Sequence, residues 1–216
     1  MIARRGLILA GLGAAALTPA LAAPKPKAKP ASPGPDAADM AIGSAKAPVT
    51  LIEYASLACG HCRIFNMTVL EPLKAKYLAS GKVRFVFREF RTPPEVMATA
   101  GYQLARCKGA DAKTYHERIA VLFAEQPAIF EAGRAGKFLD KYNEIAARFK
   151  VTPEEFQACL NDPAADARMT AVEQGGVTRF GVNSTPTVIL NGKVVPLEDH
   201  TLAGMTARIE ALLKKR

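Results

Sequence analysis

The stretch Glu53-Tyr54-Ala55-Ser56-Leu57-Ala58-Cys59-Gly60-His61-Cys62 decides the fold, because it joins a strand pattern to a helix pattern through a pair of cysteines. The residues just before it, Val49-Thr50-Leu51-Ile52, are β-branched or apolar, as in a central strand that is buried on both faces. A helical pattern follows over residues 60–78, which Pro72 is expected to kink or divide. A second strand pattern covers residues 83–90, so the order strand, helix, strand predicts a βαβ unit.

The two cysteines are spaced so that they can close a small disulfide ring, and the first of them falls at the start of the predicted helix. Unpaired backbone N–H groups and the helix dipole favour a thiolate there, so Cys59 is predicted to be the attacking or attacked sulfur. Cys62 lies one turn further on and is predicted to be the less exposed, resolving cysteine. His61 can add positive charge near the Cys59 sulfur, and Gly60 completes the Cys-Gly-His-Cys motif. Stabilising the thiolate makes the disulfide a better oxidant.

A zinc site or a structural disulfide would also use a Cys-x-x-Cys pair. Zinc needs a second close pair of cysteines or a pair of histidines, and neither Cys107 nor Cys159 has a nearby ligand partner in the sequence. No metal site is therefore predicted. The alternative from a different class of function is a protein that binds a soft metal ion such as Cu(I) through Cys59, His61 and Cys62.

Two further features bear on the redox interpretation. Pro186 directly precedes the strand pattern of residues 187–190. A Pro at the start of a strand beside a redox site can hold a cis peptide bond. Such a bond would leave the Thr185 backbone free to pair with an extended substrate chain. Glu53 lies inside an otherwise apolar strand. It is either a buried carboxylate with a raised pKa that relays protons to Cys62, or a residue at a sheet edge that faces water.

The first 38 residues have the pattern of an exported protein. Residues 1–22 combine the positive Arg4-Arg5 pair with an apolar run and an Ala20-Leu21-Ala22 cleavage pattern, which predicts a signal peptide and no stable membrane anchor after cleavage. Residues 23–38 are rich in Pro, Ala and Lys and predict a disordered linker. The net charge of +9 comes without a basic block interleaved with aromatic residues, so no nucleic-acid partner is expected.

The middle of the chain, residues 94–180, has helical periodicity and no strand pattern, and it is predicted to be a helical insertion. The insertion divides the folded part into residues 39–93 and residues 181–216. Cys107 and Cys159 both fall inside it. Export favours a structural disulfide between them, and the alternative is two buried free thiols that pack as small apolar groups.

Four other charged or titratable residues are given no role in the chemistry. Arg84 and Arg88 alternate with Val and Phe in the second strand pattern, so both are expected to face solvent. His116 and His200 are isolated in the sequence and are expected at the surface or on a helix face.

The chain after the linker resembles the DsbA-like thiol–disulfide oxidoreductases of bacterial envelopes, which belong to the thioredoxin superfamily. The resemblance rests on residues 53–62, on the helical insertion and on the Thr185-Pro186 pair. It implies an α/β class, a thioredoxin-like fold with an inserted helical domain. It also implies a cis peptide bond at Pro186, Cys59 as the nucleophile and Glu53 as a buried acid.

The same resemblance implies a periplasmic enzyme that needs no cofactor besides its redox-active disulfide. Its implied partners are reduced or unfolded secreted proteins as substrates and a membrane quinone-linked protein that reoxidises it. The best-known member has Pro at the position of Gly60 and Val at that of Thr185. Both residues here are similar to those of protein disulfide isomerases, so an isomerase or reductase is the alternative. No separate dimerisation domain is expected, and the oxidase is the leading interpretation.

Overall fold

The computed structural model describes residues 39–215. The predicted signal peptide, residues 1–22, and the predicted linker, residues 23–38, lie outside the described residues. The strands of the described part are β1 (Met40–Ile42), β2 (Val49–Ala55), β3 (Val83–Glu89), β4 (Thr187–Leu190) and β5 (Lys193–Val194).

These five strands of the described chain form one mixed sheet in the order β1-β3-β2-β4-β5. β2 is parallel to β3 and antiparallel to β4, while β1 and β5 each run antiparallel to their neighbour. β2 is therefore the central strand, as its apolar sequence predicts. Its alternate residues serve two cores: Leu51 packs in the larger one, and Ile52 and Tyr54 pack in a smaller one on the opposite face.

The helical stretch after β2 is divided into three segments, which are α1 (Gly60–Phe65), a π-helical segment (Asn66–Leu70) and α2 (Glu71–Tyr77). Pro72 lies in the first turn of α2. A proline lacks an N–H and crowds the carbonyl four residues before it, and the wider π turn just before Pro72 accommodates both effects. The division that Pro72 predicts is thus present.

The helices between β3 and β4 are α3 (Glu95–Arg106), α4 (Ala112–Arg134), α5 (Phe138–Arg148), α6 (Pro153–Leu160) and α7 (Pro163–Phe180). α3 and α4 share one hydrophobic core with the sheet, in which Tyr102 and Phe123 contact Phe87 edge-on. Because this core is continuous, the inserted helices are fixed against the strands that carry the cysteine pair. Cys107 follows α3, Cys159 lies in α6, and a disulfide joins them.

The chain returns to the sheet at β4, turns at Asn191-Gly192 and leaves through β5. Both turn residues have positive φ, which a two-residue hairpin turn of this kind requires. A 3₁₀ turn (Leu197–Asp199) leads to the final helix, α8 (Leu202–Lys214). α8 buries Met205 and Ile209 in the larger core and so covers one face of the sheet.

The expectation that Arg88 faces solvent is wrong, since its side chain is 2 % exposed. Its guanidinium donates two hydrogen bonds of 2.9 Å to the carboxylate of Asp39 and one of 2.8 Å to the hydroxyl of Tyr54. A charge is buried at acceptable cost when it is paired in this way. Arg84, four residues earlier, is half-buried.

The surface position considered for His116 is also wrong. Its ring is buried against Phe85, and its Nε2 lies 2.7 Å from the carbonyl oxygen of Met40. Burial lowers the pKa of His116 to about 4, so the ring is neutral at physiological pH. His116 thus joins α4 to the edge strand β1.

Candidate active site

Cys59 caps the N-terminus of α1, with an extended backbone at φ −99° and ψ 119°. Its side chain is half-buried, while Cys62, one helical turn further on, is fully buried. Both are free thiols. The strand-to-helix junction therefore presents the first sulfur and hides the second, which is the placement that their spacing predicts.

Four groups stabilise the Cys59 thiolate. A hydrogen bond from the Cys62 thiol is the largest cause that lowers the pKa of Cys59 to about 5. The side chain of Thr185 and the backbone N–H groups of Cys62 and His61 act in the same direction. Partial burial opposes them. Burial, followed by the bond given to Cys59, raises the pKa of Cys62 well above its usual range. Cys59 is thus the sulfur that is an anion at neutral pH, and Cys62 is the one that holds its proton.

The loop before β4 faces the cysteine pair. The peptide bond between Thr185 and Pro186 is cis, and the Sγ of Cys59 lies 3.4 Å from the carbonyl oxygen of Thr185. These residues are 126 positions apart in the sequence. The structure therefore brings together Cys59, Cys62, Thr185 and Pro186.

Glu53 lies in the middle of the sheet, where it pairs with Phe87 of β3 on one side and Val188 of β4 on the other. Its side chain is 0 % exposed, so the alternative of a water-facing edge residue is excluded. Neither carboxylate oxygen has a hydrogen-bond partner among residues 39–215. Burial raises the pKa of Glu53 to about 8, against the opposing charge of Lys74, and the carboxyl interacts electrostatically with Cys62.

A groove of about 360 Å³ opens beside Cys59. Its wall is mainly apolar, and Ile64 and Leu197 are 55 % and 74 % exposed there. The half-buried ring of His200 packs on Phe65 and completes one side. The residues that line the groove are His61, Ile64, Phe65, Thr68, Val69, Ser184, Thr185, Pro186, Leu197 and His200. Large exposed apolar side chains beside a reactive sulfur are typical of a binding surface for a polypeptide.

Two residues of the inserted helices hold the loop that carries Cys59. The hydroxyl of Tyr102 donates a 2.6 Å hydrogen bond to the carbonyl of Ala55 and accepts one of 3.2 Å from the N–H of Leu57. The side-chain amide of Gln126 donates to the carbonyls of Leu57 and Cys59. Sequence reasoning missed both residues, because each occupies an ordinary position in a helical pattern and no local motif marks it.

No metal centre is formed in the described part of the chain: no group of three or more His, Cys, Asp or Glu side chains is placed there to hold an ion. Within residues 39–215, no helix has both the length and the apolar character needed to cross a membrane.

The family model described as thioredoxin matches residues 36–211, and the chain therefore belongs to the thioredoxin family. A protein of Rickettsia prowazekii named "Putative protein-disulfide oxidoreductase" is 27 % identical over 175 residues, which are 81 % of this chain and 61 % of that protein. Disulfide bond formation protein D of Bacillus subtilis is 21 % identical over 154 residues, 71 % of this chain and 68 % of that protein. The chain spans about three fifths of the length of the rickettsial relatives.

Two solved structures are similar to this one. Alpha-DsbA1 of Wolbachia pipientis superposes with a TM-score of 0.72 at 23 % identity, over 84 % of this chain and 94 % of that one. Oxidised BdbD of Bacillus subtilis gives a TM-score of 0.68 at 20 % identity, over 82 % and 93 %. The predicted class, an α/β thioredoxin-like fold with an inserted helical domain, is confirmed.

Proposed function

We propose that this protein is an exported thiol–disulfide oxidoreductase that introduces disulfides into secreted proteins by exchange at Cys59 and Cys62. The observation that carries the proposal is the position of Cys59. Cys59 is the N-cap residue of α1, and its sulfur accepts a hydrogen bond from Cys62 and faces the Thr185 carbonyl beside a cis proline. A low thiol pKa in a partly exposed site is the property that a reactive cysteine needs.

The first step begins with the oxidised protein, in which Cys59 and Cys62 are joined. A substrate thiolate attacks the Sγ of Cys59 and forms a mixed disulfide. The bond between the two cysteines breaks, and its electron pair leaves with the Sγ of Cys62. Because the pKa of Cys62 is raised, this sulfur takes up a proton. Glu53, protonated at neutral pH, is the group proposed to supply it.

The second step releases the product. A second thiolate of the substrate attacks the substrate sulfur that is bound to Cys59, and the electron pair of the mixed disulfide leaves with the Sγ of Cys59. This departure is favourable because Cys59 is stable as an anion. The substrate has then lost two electrons, and the cysteine pair has gained them. The reaction needs no cofactor besides the pair itself.

The groove and the cis-proline loop are proposed to bind the substrate. The Thr185 carbonyl points at Cys59, so an extended chain that reaches the sulfur can pair with this backbone. Exposed apolar side chains such as Ile64 and Leu197 favour unfolded proteins, which still expose their own apolar residues.

The cellular setting is also part of the proposal. The signal-peptide pattern of residues 1–22 supports export to the periplasm, where disulfides persist. A membrane quinone-linked protein is the proposed partner that takes the two electrons and restores the disulfide.

The test uses the oxidised protein and a reduced peptide that contains two cysteines. Each equivalent of protein should convert one equivalent of peptide to its disulfide. The Cys62→Ser variant, mixed with the disulfide-linked dimer of a one-cysteine peptide, should form a lasting mixed disulfide through Cys59 and release the other half of the dimer as a thiol. Equilibration with glutathione should give a potential of about −120 mV, as for a strong oxidant, while a value of about −270 mV would assign a reductase instead. If the purified protein holds stoichiometric copper or zinc and does not oxidise the peptide, the proposal is wrong and a soft-metal-binding function takes its place.

A further inference from the structure

We propose that Gln126 of α4 is a positioning residue that sets how readily Cys59 exchanges disulfides, by fixing the backbone of the redox loop. The redox loop is defined as residues 56–59, between β2 and α1. The inference rests on the proposed function. It assigns a positioning role to the inserted helices, which contribute no sulfur to the reaction.

Both N–H bonds of the Gln126 amide are used on this loop. Its Nε2 donates to the carbonyl oxygen of Leu57 at 2.8 Å and to that of Cys59 at 3.1 Å. A side-chain amide has two donors, and here they bridge carbonyls on either side of Ala58. Gln126 is 3 % exposed, so these bonds form away from water, where a carbonyl without a partner is costly.

The bridged carbonyls lie where the helix begins. The Cys59 carbonyl accepts the first helical bond, from the N–H of Arg63 at 3.2 Å, and Gln126 gives it a second partner. Cys59 must keep an extended backbone for its sulfur to lie against the N–H groups of His61 and Cys62. Gln126 thus holds the one residue whose rotation would carry the sulfur away from its stabilising partners.

A second anchor supports the same loop. The hydroxyl of Tyr102 in α3 bonds the backbone of Ala55 and Leu57. The loop is therefore held from two inserted helices, and these helices share the core of the sheet. Of the two anchors, Gln126 is the one that contacts the reactive residue itself.

The test replaces Gln126 by Met, which keeps the length of the side chain and removes the donors. The matched control is Gln103→Met, because Gln103 is also a buried glutamine of the insertion and donates to the Leu160 carbonyl at 3.2 Å. Neither change alters Cys62 or Glu53, the titratable groups that interact with Cys59.

The readouts are the pKa of Cys59, from pH-dependent alkylation of the reduced protein, and the equilibrium with glutathione. Gln126→Met should raise the pKa by about one unit or more, and the oxidising strength should fall by about tenfold in the equilibrium constant. Gln103→Met should leave the acid dissociation constant of Cys59 and the equilibrium constant with glutathione each within about twofold of the parent. If Gln126→Met does not fold, Gln126→Asn keeps an amide that is one methylene too short and should give the same shift.

The inference is overturned if the Gln126 variant that folds keeps the parent's pKa of Cys59 and its equilibrium constant with glutathione. An equal shift in Gln103→Met would also overturn it, because the shift would then come from a general destabilisation of the inserted helices. The parent protein is assayed for peptide oxidation in parallel. Failure of the parent counts against the proposed function, whereas a normal parent with an unresponsive Gln126 variant counts against this inference alone.

Discussion

Gly176 of α7 lies so close to the ring of Tyr54 in β2 that a Cβ atom on Gly176 would stand 2.6 Å from the Cε1 of the ring. The ring is 1 % exposed, and its hydroxyl accepts a hydrogen bond of 2.8 Å from Arg88. Tyr54 therefore has no room to move aside. Because Tyr54 follows Glu53 in the same strand, this contact seats α7 on the strand that leads to the cysteine pair.

We expect Gly176→Ala to destabilise the protein by about 1–3 kcal/mol, because an added methyl group overpacks a site whose neighbour is a rigid ring. Gly175→Ala is the matched control. Its Cβ would meet just the end of the exposed Arg179 side chain, at 3.2 Å. In a helix, Ala is favoured over Gly by up to about 1 kcal/mol, so this variant should be neutral or more stable. Urea unfolding measures both, and equal stabilities would contradict the close contact.

The reduced protein should react with an alkylating agent at acidic pH. Since the pKa of Cys59 is about 5, the rate should reach half its maximum near that pH, whereas an ordinary thiol requires a pH of about 8.5. Cys62→Ala removes the largest stabilising hydrogen bond, so the midpoint should move upward. Mass spectrometry after timed alkylation gives the rate, and Cys59→Ser identifies the reacting sulfur.

The same ionisation affects stability in a definite direction. Between about pH 5 and pH 9 the unfolded chain keeps the proton that folded Cys59 has lost. The contribution of Cys59 to the stability of the reduced protein therefore grows as the pH rises through this window and shrinks as the pH falls. A midpoint of alkylation near pH 8.5 would remove the basis of both expectations.

Glu53→Gln should change how stability depends on pH. The pKa of Glu53 is about 8 in the folded protein and about 4.3 in an unfolded chain, so the folded protein holds an extra proton between these values. The contribution of Glu53 to the free energy of unfolding therefore falls as the pH rises from about 4.3 towards about 8, opposite in sign to the contribution of Cys59. Glu53→Gln should remove this fall, while Glu131→Gln, at the surface, should retain it. Unfolding in urea at several pH values provides the comparison, and parallel curves for parent and Glu53→Gln would refute the expectation.

Replacing both Cys107 and Cys159 by Ala should lower the free energy of unfolding by about 4 kcal/mol. The bond closes a loop across a sequence separation of 52, and on the chain-entropy model a loop of that length restricts the unfolded chain by about this amount. Because neither cysteine lines the groove at Cys59, peptide oxidation should persist below the melting temperature. The loss of oxidation by a variant that is still folded would tie this disulfide to the chemistry.

The elements nearest the cysteine pair could be predicted because each has a strong local pattern. The apolar run of β2 is typical of a central strand, and the strand pattern of residues 187–190 after Pro186 corresponds to β4. The short edge strand β1 was not predicted, since its three half-buried residues show no alternation and its pairing depends on β3.

The missed parts of the site and core depend on contacts between distant residues. Arg88 alternates with apolar neighbours as an exposed strand residue would, and its burial requires Asp39, 49 positions away. Gln126 has the appearance of an ordinary polar helix residue until its bonds to residues 67 and 69 positions away are known. The sequence leaves two alternatives open for Glu53, because the choice depends on which strands flank β2.

The outermost strands of the sheet have a consequence for the proposed exchange with unfolded chains. β1 has three residues and β5 has two, one of them the exposed Lys193. Two short borders, of which one carries a lysine, offer little free backbone on which a foreign strand could nucleate a growing aggregate. Under the proposed function, an extended substrate would therefore pair with the carbonyl of Thr185 and not with a sheet border, and it would leave once the sulfur exchange is complete.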